Sequence, residues 1–381
     1  MIPYGKHDIN QADINSVIKV LQSDFLTQGP QVPLFEKTVS NYCGSQYGVA
    51  VNSATSALHI ACLALSLGKG DYFWTTPNSF VASANCGLYC GAKVDFVDID
   101  EKTYNISTSE LEKKLIQAKK DNKLPKVLIA VHFAGQSSDM KKIKSLGEKY
   151  RFRIIEDASH AIGGKYLDKP IGGCQYSDIT VFSFHPVKII TTAEGGLATT
   201  NSRELSEKMQ LLKEHGITRD IGLMNKESEG DWYYQQINLG FNYRMTELQA
   251  ALGISQMQRL DDFVTRRNIL RERYDKLLDG MALVKPSQFE DGLSAMHLYP
   301  IKVRNRSKVF NKLRKSGIGV NVHYIPIHFQ PFYASLGFNS GDFPKSESFY
   351  DQAISLPIFS SMTFDQQNNV VLMLKEALKS V

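Results

Sequence analysis

The first half of the chain alternates between strand-like and helical patterns of hydrophobic positions. Seven short apolar runs occur between residues 47 and 200, and stretches with helical periodicity separate most of them. Nearly continuous apolar runs are typical of strands that are buried on both faces of a sheet. The pattern therefore predicts a doubly wound α/β domain with a mostly parallel sheet. The candidate strands are YGVAV (47–51), FWTTP (73–77), VDFVDI (94–99), KVLIAVHF (126–133), FRIIED (152–157), ITVFSF (179–184) and GGLATT (195–200).

The flanking regions carry helical patterns. A short helix is predicted from Asp13 to Leu21, and the Gly- and Pro-containing stretch TQGPQVP ends it. One long helix is predicted from Thr246 to about Leu278, a length typical of a helix that joins two domains. The predicted organisation is an N-terminal arm (1–11) near the active site, a large α/β domain (12–250) and a smaller α+β domain (251–381).

The smaller domain is expected to contain two strands and two helices. The strands are predicted in LYPIKV and GVNVHYIP, and the closing helix is amphipathic. The corresponding ranges are 298–303 and 319–326 for the strands, and about 307–316 and 364–381 for the helices.

Composition narrows the classes of function. Of the 381 residues, 43% are hydrophobic and 22% are charged, and the net charge of +5 forms no basic stripe that would indicate nucleic-acid binding. The chain has no signal-peptide pattern and no run of eighteen apolar residues, so we expect a cytoplasmic protein without membrane contact. Its five cysteines are scattered and complete no metal-binding set, which predicts reduced thiols and no metal.

Two polar clusters follow predicted strands and enter helices. The first is NSATSAL, which begins at Asn52 and could bind a phosphate at a helix N-terminus. An ordinary helix cap made by Ser53 or Thr55 is the alternative. The second is EDASHAIGG, in which Asp157 could hold a heterocyclic nitrogen protonated.

Two further clusters complete the candidate site. In SFHPVKIITTAEGG, Lys188 stands among apolar residues, so it is either a lysine activated by desolvation or a strand-end lysine whose ammonium reaches solvent. In GFNYRMTELQAALG, Asn242 lies before a helix and could donate to a phosphate.

With these clusters in this order, the chain resembles the DegT/DnrJ/EryC1/StrS family of sugar aminotransferases. The resemblance covers essentially the whole chain and includes TPNSFVASAN, VHFAGQ, SFHPVK, GFNYRM, VHYIPIH and SLPIF. It implies the fold type I of pyridoxal-phosphate-dependent transferases, with a seven-stranded, mostly parallel sheet in the large domain. It also implies a homodimer with shared active sites.

The resemblance assigns roles to individual residues. Lys188 would hold pyridoxal 5′-phosphate as a Schiff base and move protons, and Asp157 would pair with the pyridine nitrogen. Phe80 would stack on the ring, and His160 would lie beside it. The phosphate would be held by Ala54, Thr55 and Ser183, and by Asn242 of the neighbouring subunit.

A closer resemblance, carried by IPYGKHDI, FLTQGP and KIITTAEGG, is to the pseudaminic acid branch of the family. It implies that glutamate converts the cofactor to pyridoxamine phosphate, which then aminates the C-4 ketone of a UDP-linked 4-keto-6-deoxy-N-acetylhexosamine. His323 and Tyr324 could instead be ordinary strand residues. The implied substrate-binding residues are Tyr4, Asp24, Phe25, Leu26, Thr27, Ala54, Ser183, Asn321, Val322, His323 and Tyr324.

Other functions remain open from the sequence. A related transaminase could act on a bacillosamine-type UDP-sugar or a perosamine-type GDP-sugar. A sugar dehydratase of the family would lack the lysine, and a non-catalytic regulatory homologue would be expected to have lost Lys188 or Asp157.

Overall fold

A central mixed sheet organises the computed structural model, which describes residues 1–289 and 291–379. All seven predicted strands are present in this sheet, so the expected α/β fold is confirmed. The strands are β1 (Tyr47–Val51), β2 (Tyr72–Thr75), β3 (Lys93–Phe96), β4 (Val127–Val131), β5 (Arg153–Asp157), β6 (Ile179–Ser183) and β7 (Gly196–Thr200).

The strand order is β1–β7–β6–β5–β4–β2–β3. Strands β2 to β6 pair in parallel, whereas β7 runs antiparallel to both of its neighbours. Val51 at the end of β1 therefore lies opposite Gly196 at the start of β7. Since β1, β5 and β6 point the same way, their carboxyl ends lie along one edge of the sheet, where α/β proteins bind ligands.

Helices cover both faces of the sheet. In the part of the chain that the structure describes, they are α1 (Gln11–Leu21), α2 (Gln31–Cys43), α3 (Ala54–Ala64), α4 (Ala82–Tyr89), α5 (Thr108–Lys120), α6 (Met140–Tyr150), α7 (Arg203–Lys213), α8 (Glu247–Met257), α9 (Leu260–Leu277), α10 (Arg306–Lys315), α11 (Pro331–Ala334), α12 (Pro344–Gln352) and α13 (Phe364–Lys379). Helices α3, α4 and α7 share one apolar core with the sheet, and α2, α5, α6 and α8 contribute to cores on the other face.

The prediction of a single helix from Thr246 to Leu278 is wrong, because the chain leaves helical geometry between α8 and α9. Arg259 has φ −113° and ψ 8° at this break. Its guanidinium pairs with Asp8 at 3.1 Å and with the fully buried Asp13 at 2.5 Å. The break thus depends on contacts with the N-terminal segment, which helical periodicity does not reveal.

The C-terminal part has its own apolar core, formed by side chains from Leu270 to Ala377. The predicted LYPIKV strand is present. The closing helix is also present and is described as far as Lys379, and the last two residues of its predicted range lie outside the described residues. The predicted domain boundary at residue 250 falls inside α8, and the division into domains stays a prediction. A small antiparallel sheet here contains β8 (Leu283–Val284), β9 (Tyr299–Val303) and β10 (Ala353–Leu356).

The predicted strand in GVNVHYIP is wrong. Only Asn321 in this segment makes a bridge, to Ser355, and the remainder lies across the cavity described below. The described residues form two further small sheets. One has three strands, Lys165–Tyr166, Lys169–Pro170 and Gly292–Leu293, and the other has two, Ile217–Thr218 and Gln235–Gln236.

The N-terminal arm runs alongside the C-terminal part. Ile2 bridges Ile318, and the ring of Tyr4 lies 5.3 Å from the ring of His323. The first helix begins at Gln11, two residues before the predicted start, because Asn10 and Asp13 form a capping box. Over the described ranges, no helix combines the length and the apolar character that a membrane span requires.

Candidate active site

A cavity of about 570 Å³ opens at the carboxyl ends of β1, β5 and β6. Residues from the large sheet, from the N-terminal arm and from the segment after α10 meet there. Most of the predicted site residues line this one cavity: Tyr4, Ala54, Thr55, Phe80, Asp157, His160, Ser183, Lys188, Asn321, Val322, His323 and Tyr324.

Lys188 lies in the turn after β6, with its side chain at the cavity wall. Its backbone N–H donates to the carbonyl of His185 at 2.9 Å, which fixes the turn. Burial lowers the pKa of the Lys188 ammonium to about 8, and the negative charge of Asp157 partly opposes this effect. A lysine with such a pKa is available as a neutral nucleophile close to neutrality, which favours the desolvated alternative.

Asp157 ends β5, and its side chain is only 5% exposed. The hydroxyl of Ser83 on α4 donates to one carboxylate oxygen at 2.6 Å, and the hydroxyl of Ser159 donates to the other at 2.5 Å. Hydroxyls from two different elements therefore fix the orientation of this carboxylate at the cavity. Such an anion can hold a protonated pyridine nitrogen.

The N-terminus of α3 forms a second side of the cavity. Ser53 is the N-cap residue, since its hydroxyl accepts from the N–H of Ser56 at 3.1 Å, whereas Thr55 faces the cavity. The first N–H groups of a helix have no partners within the helix and favour a bound anion. The cap at Ser53 is therefore present, and the anion-binding reading of NSATSAL stays a prediction for the neighbouring residues.

Gly196 allows α3 to approach the sheet this closely. A Cβ atom at Gly196 would lie 2.5 Å from the backbone nitrogen of Ala54 and 2.5 Å from the carbonyl of Ser53. Any side chain at this position would push the helix N-terminus away from β7. Gly196, the second glycine of the AEGG motif, therefore keeps the N-terminus of α3 close to the sheet.

Aromatic and imidazole rings form the remaining wall. The ring of Phe80 is 59% exposed to the cavity, and its centroid lies 6.3 Å from that of Tyr324. The Nδ1 atom of His160 accepts from the N–H of Ala134 at 3.3 Å, and its Nε2 atom lies 3.0 Å from the hydroxyl of Tyr324. Burial, followed by the positive charge of Lys188, holds the pKa of His160 well below its usual value.

These features fit pyridoxal phosphate. A desolvated lysine, an oriented carboxylate and an exposed aromatic ring face the same space, and a helix N-terminus supplies an anion site at its edge. Three of the histidines at the wall, His160, His297 and His323, have lowered pKa values, chiefly because of burial, so they lie around the lysine without adding charge.

The structure does not bring five predicted residues into this cavity. Asp24 and Phe25 line a separate cavity of about 280 Å³. The carbonyl of Leu26 accepts from the N–H of Glu247 at 3.0 Å, and Thr27 bridges Thr246. Asn242 is exposed and bridges Glu214.

Sequence reasoning missed several residues of the wall. His185, Glu194 and Ser159 stand inside the motifs already identified, so their nearness to Lys188 and Asp157 was an available signal. His297 is different, because it precedes the predicted strand LYPIKV (298–303) and belongs to none of the motifs singled out.

Comparisons with known proteins match the chain over nearly its whole length to one family of aminotransferases. The model of the DegT/DnrJ/EryC1/StrS aminotransferase family matches residues 7–375. The chain is 37% identical over 368 residues to the UDP-4-amino-4,6-dideoxy-N-acetyl-beta-L-altrosamine transaminase of Campylobacter jejuni strain 81-176, covering 95% of this chain and 93% of that protein. It is 36% identical over 387 residues to the spore coat polysaccharide biosynthesis protein SpsC of Bacillus subtilis, covering 99% and 97%.

A solved structure matches along the full length. Helicobacter pylori PseC, described as an aminotransferase involved in the biosynthesis of pseudoaminic acid, superposes with a TM-score of 0.91 at 32% sequence identity, and 100% of each chain is covered.

Proposed function

The chain belongs to the DegT/DnrJ/EryC1/StrS aminotransferase family and is a pyridoxal-phosphate-dependent sugar aminotransferase, and on this basis we propose its substrates. The proposed reaction moves the amino group of glutamate to the C-4 ketone of UDP-2-acetamido-2,6-dideoxy-β-L-arabino-hex-4-ulose, as in pseudaminic acid biosynthesis. Support comes from the C. jejuni transaminase and from PseC, which cover nearly the whole chain.

The observation that carries the proposed site is that Lys188, Asp157 and the N-terminus of α3 line one cavity. Pyridoxal phosphate, when bound, supplies the electron sink that makes exchange of an amino group for a carbonyl possible. Lys188 would hold the cofactor, and Asp157 would keep its pyridine nitrogen protonated. The N–H groups of Ala54 and Thr55, with the hydroxyl of Ser183, would bind the phosphate.

Lys188 also has the properties of the acid–base residue. Amination requires a proton to be removed from one carbon and delivered to another, and this must occur in the glutamate half-reaction and in the sugar half-reaction. A general acid–base works best when its pKa lies near the working pH. With a pKa of about 8, Lys188 can both accept and return the proton at the reacting carbon of either substrate.

The active unit is proposed to be a homodimer with shared sites. Asn242 does not line the cavity of its own chain, and the segment before it carries apolar side chains that are more than half exposed. These side chains are Ile221, Leu223, Trp232, Tyr234 and Leu239. If a second copy covers this surface, Asn242 would reach the cavity of that copy. The residues from Asp24 to Thr27, which also do not line the cavity of their own chain, would reach it in the same way. The cytoplasmic location stays a prediction.

Replacement of Lys188 by alanine tests the assignment of the site. Purified wild-type protein should be yellow with bound cofactor, whereas Lys188→Ala should lose the absorbance of the lysine-linked cofactor and form no amino sugar, because no other group would link covalently to the cofactor and move the proton. The exposed lysine Lys141, on α6, provides the control, since Lys141→Ala should behave as wild type. A Lys188→Ala protein that aminates the sugar at the normal rate would contradict the assignment.

A panel of substrates tests the identity of the sugar. Purified 4-keto sugars of the L-arabino UDP type, the bacillosamine-type UDP form and the perosamine-type GDP form are each incubated with glutamate and pyridoxal phosphate, and amino sugars are quantified by mass spectrometry. The proposal expects the L-arabino sugar to be the preferred substrate. Product from another sugar and none from the L-arabino form would replace it with one of the alternatives.

A further inference from the structure

His297 is a buried histidine at the wall of the cavity to which no role has been assigned. It stands two residues before β9, and its backbone N–H donates to the carbonyl of Ala134 at 2.9 Å. The imidazole is 4% exposed and packs on His160, with the ring centroids 4.4 Å apart. It therefore lies directly behind the histidine that contacts Tyr324.

The ring of His297 has one nitrogen that no group of the described residues satisfies. Its Nδ1 atom is buried and has no hydrogen-bond partner among the described residues. Burying such an atom costs free energy, so a purely structural position would favour an apolar ring. The remaining nitrogen, Nε2, is the one left to face the cavity that His297 lines.

His328 shows the contrasting arrangement. Its Nδ1 atom also lacks a partner among the described residues, but its Nε2 atom lies 3.0 Å from the carboxylate of Glu347. That second contact, away from the cavity, explains why a histidine is useful at position 328. At position 297 the described residues supply no such contact, and the second nitrogen meets the ligand space instead.

The surroundings decide which nitrogen of His297 carries the proton. Burial, followed by the cost of placing a positive charge beside His160 and Lys188, holds the pKa of His297 well below the usual value, so the ring is neutral and bears one N–H. An unpartnered buried N–H is rarer in proteins than an unpartnered acceptor, which places the proton on Nε2. His297 therefore presents an uncharged donor to the cavity.

Tyr324 presents a second uncharged donor. Because the Nδ1 atom of His160 accepts from the N–H of Ala134, the Nε2 atom of His160 carries the proton of this neutral ring. That proton is donated to the oxygen of Tyr324, 3.0 Å away. The hydroxyl hydrogen of Tyr324 is then free to point into the cavity.

We propose that the Nε2–H of His297, together with the hydroxyl of Tyr324, binds the ketone oxygen of the nucleotide sugar. This inference rests on the proposed function, and it assigns His297 a contact with substrate. Two uncharged donors match an uncharged carbonyl oxygen, whereas a carboxylate of the amino donor would call for a cation such as arginine. His297 would thus contribute to binding of the sugar and leave the glutamate half-reaction unaffected.

The test measures the two half-reactions separately in His297→Phe, which keeps the stacked ring and removes the N–H. The KM for the keto-sugar should rise about five- to tenfold, the effect of one lost neutral hydrogen bond, while the rate of the glutamate half-reaction stays at the wild-type value. Calorimetric titration of the apoprotein with the keto-sugar should show binding weakened by a similar factor. Thermal stability should be equal or higher, because an unsatisfied nitrogen is removed.

Two further variants keep the outcome decisive. His297→Gln retains a donor and should recover part of the lost affinity, and His328→Phe should lose thermal stability without a change in KM. An unchanged KM in His297→Phe, or an equal slowing of both half-reactions, would overturn the assignment of His297. Wild-type protein that neither binds nor aminates any keto-sugar would instead contradict the proposed function, and the inference with it.

Discussion

At the scale of single residues, the proposed chemistry depends on Lys188 and Asp157. The ammonium is desolvated enough for its pKa to fall to about 8, although a carboxylate lies near enough to oppose the fall. An ordinary lysine, with a pKa of ~10.4, would be almost entirely protonated at neutral pH. The local environment therefore increases the neutral fraction of Lys188 by more than two orders of magnitude.

The lowered pKa predicts selective chemical reactivity of Lys188 in the apoprotein. Since only the neutral amine reacts, modification by an acylating reagent should increase with pH and reach half of its maximal rate near pH 8. Peptide mass spectrometry after brief labelling over pH 6–11 measures this profile. Surface lysines should show midpoints near ~10.4 in the same samples, so a midpoint for Lys188 in that higher range would contradict the burial argument.

Sequence pattern alone placed Lys188 and Asp157 after apolar strands, and both line the cavity, but their roles were implied only by the family resemblance and stay predictions. The sequence was insufficient for His297. The proposed role of His297 depends on its surroundings, in which one ring nitrogen has no partner among the described residues. Those surroundings come from residues distant in the chain: Ala134 accepts its backbone N–H, and His160 packs on its ring.

At the scale of elements, the proposed anion site depends on the contact between β7 and α3. Gly196→Ala would insert a Cβ atom 2.5 Å from the backbone of Ser53 and Ala54, so the helix N-terminus must shift. We expect pyridoxal phosphate to dissociate about 100-fold more readily, a loss of the size that several phosphate hydrogen bonds represent. The dissociation constant is measured from cofactor absorbance during dialysis.

A matched glycine distinguishes a local effect from a general one. At Gly68 the nearest atom to an added Cβ is the carbonyl oxygen of Cys90, at 4.0 Å, so Gly68→Ala should leave cofactor binding unchanged. Tight cofactor binding by Gly196→Ala would show that α3 does not hold the phosphate.

Periodicity predicted the strands well, because burial on both faces leaves an unmistakable apolar run. It failed where geometry depends on distant partners. The break at Arg259 requires Asp8 and Asp13, and the segment 319–326 is β-like in composition but lies beside a cavity instead of a neighbouring strand. Local sequence contains neither kind of information.

At the scale of the whole molecule, the proposed sharing of sites can be tested by complementation. Lys188→Ala and Asn242→Ala subunits, each inactive alone, are unfolded together and refolded as mixed dimers. If Asn242 serves the neighbouring cavity, each mixed dimer contains one intact site, and random pairing should restore about a quarter of wild-type activity. If Asn242 serves its own cavity, every site in the mixture is defective and activity stays at the background level.

The position of β7 in the sheet also has a consequence for how the protein is made. Val51 and Gly196 are neighbours in space but far apart along the chain, and β7 separates β1 from the rest of the sheet. Closing such a long loop is entropically costly and slow. On the ribosome, β1 and α3 must wait until Gly196 has emerged before they can join the sheet. The junction of α3 with β7, where the phosphate is proposed to bind, is consequently among the last parts of the sheet to assemble. On the proposed site, a nascent chain acquires the ability to load its cofactor only after most of the large domain has been synthesised.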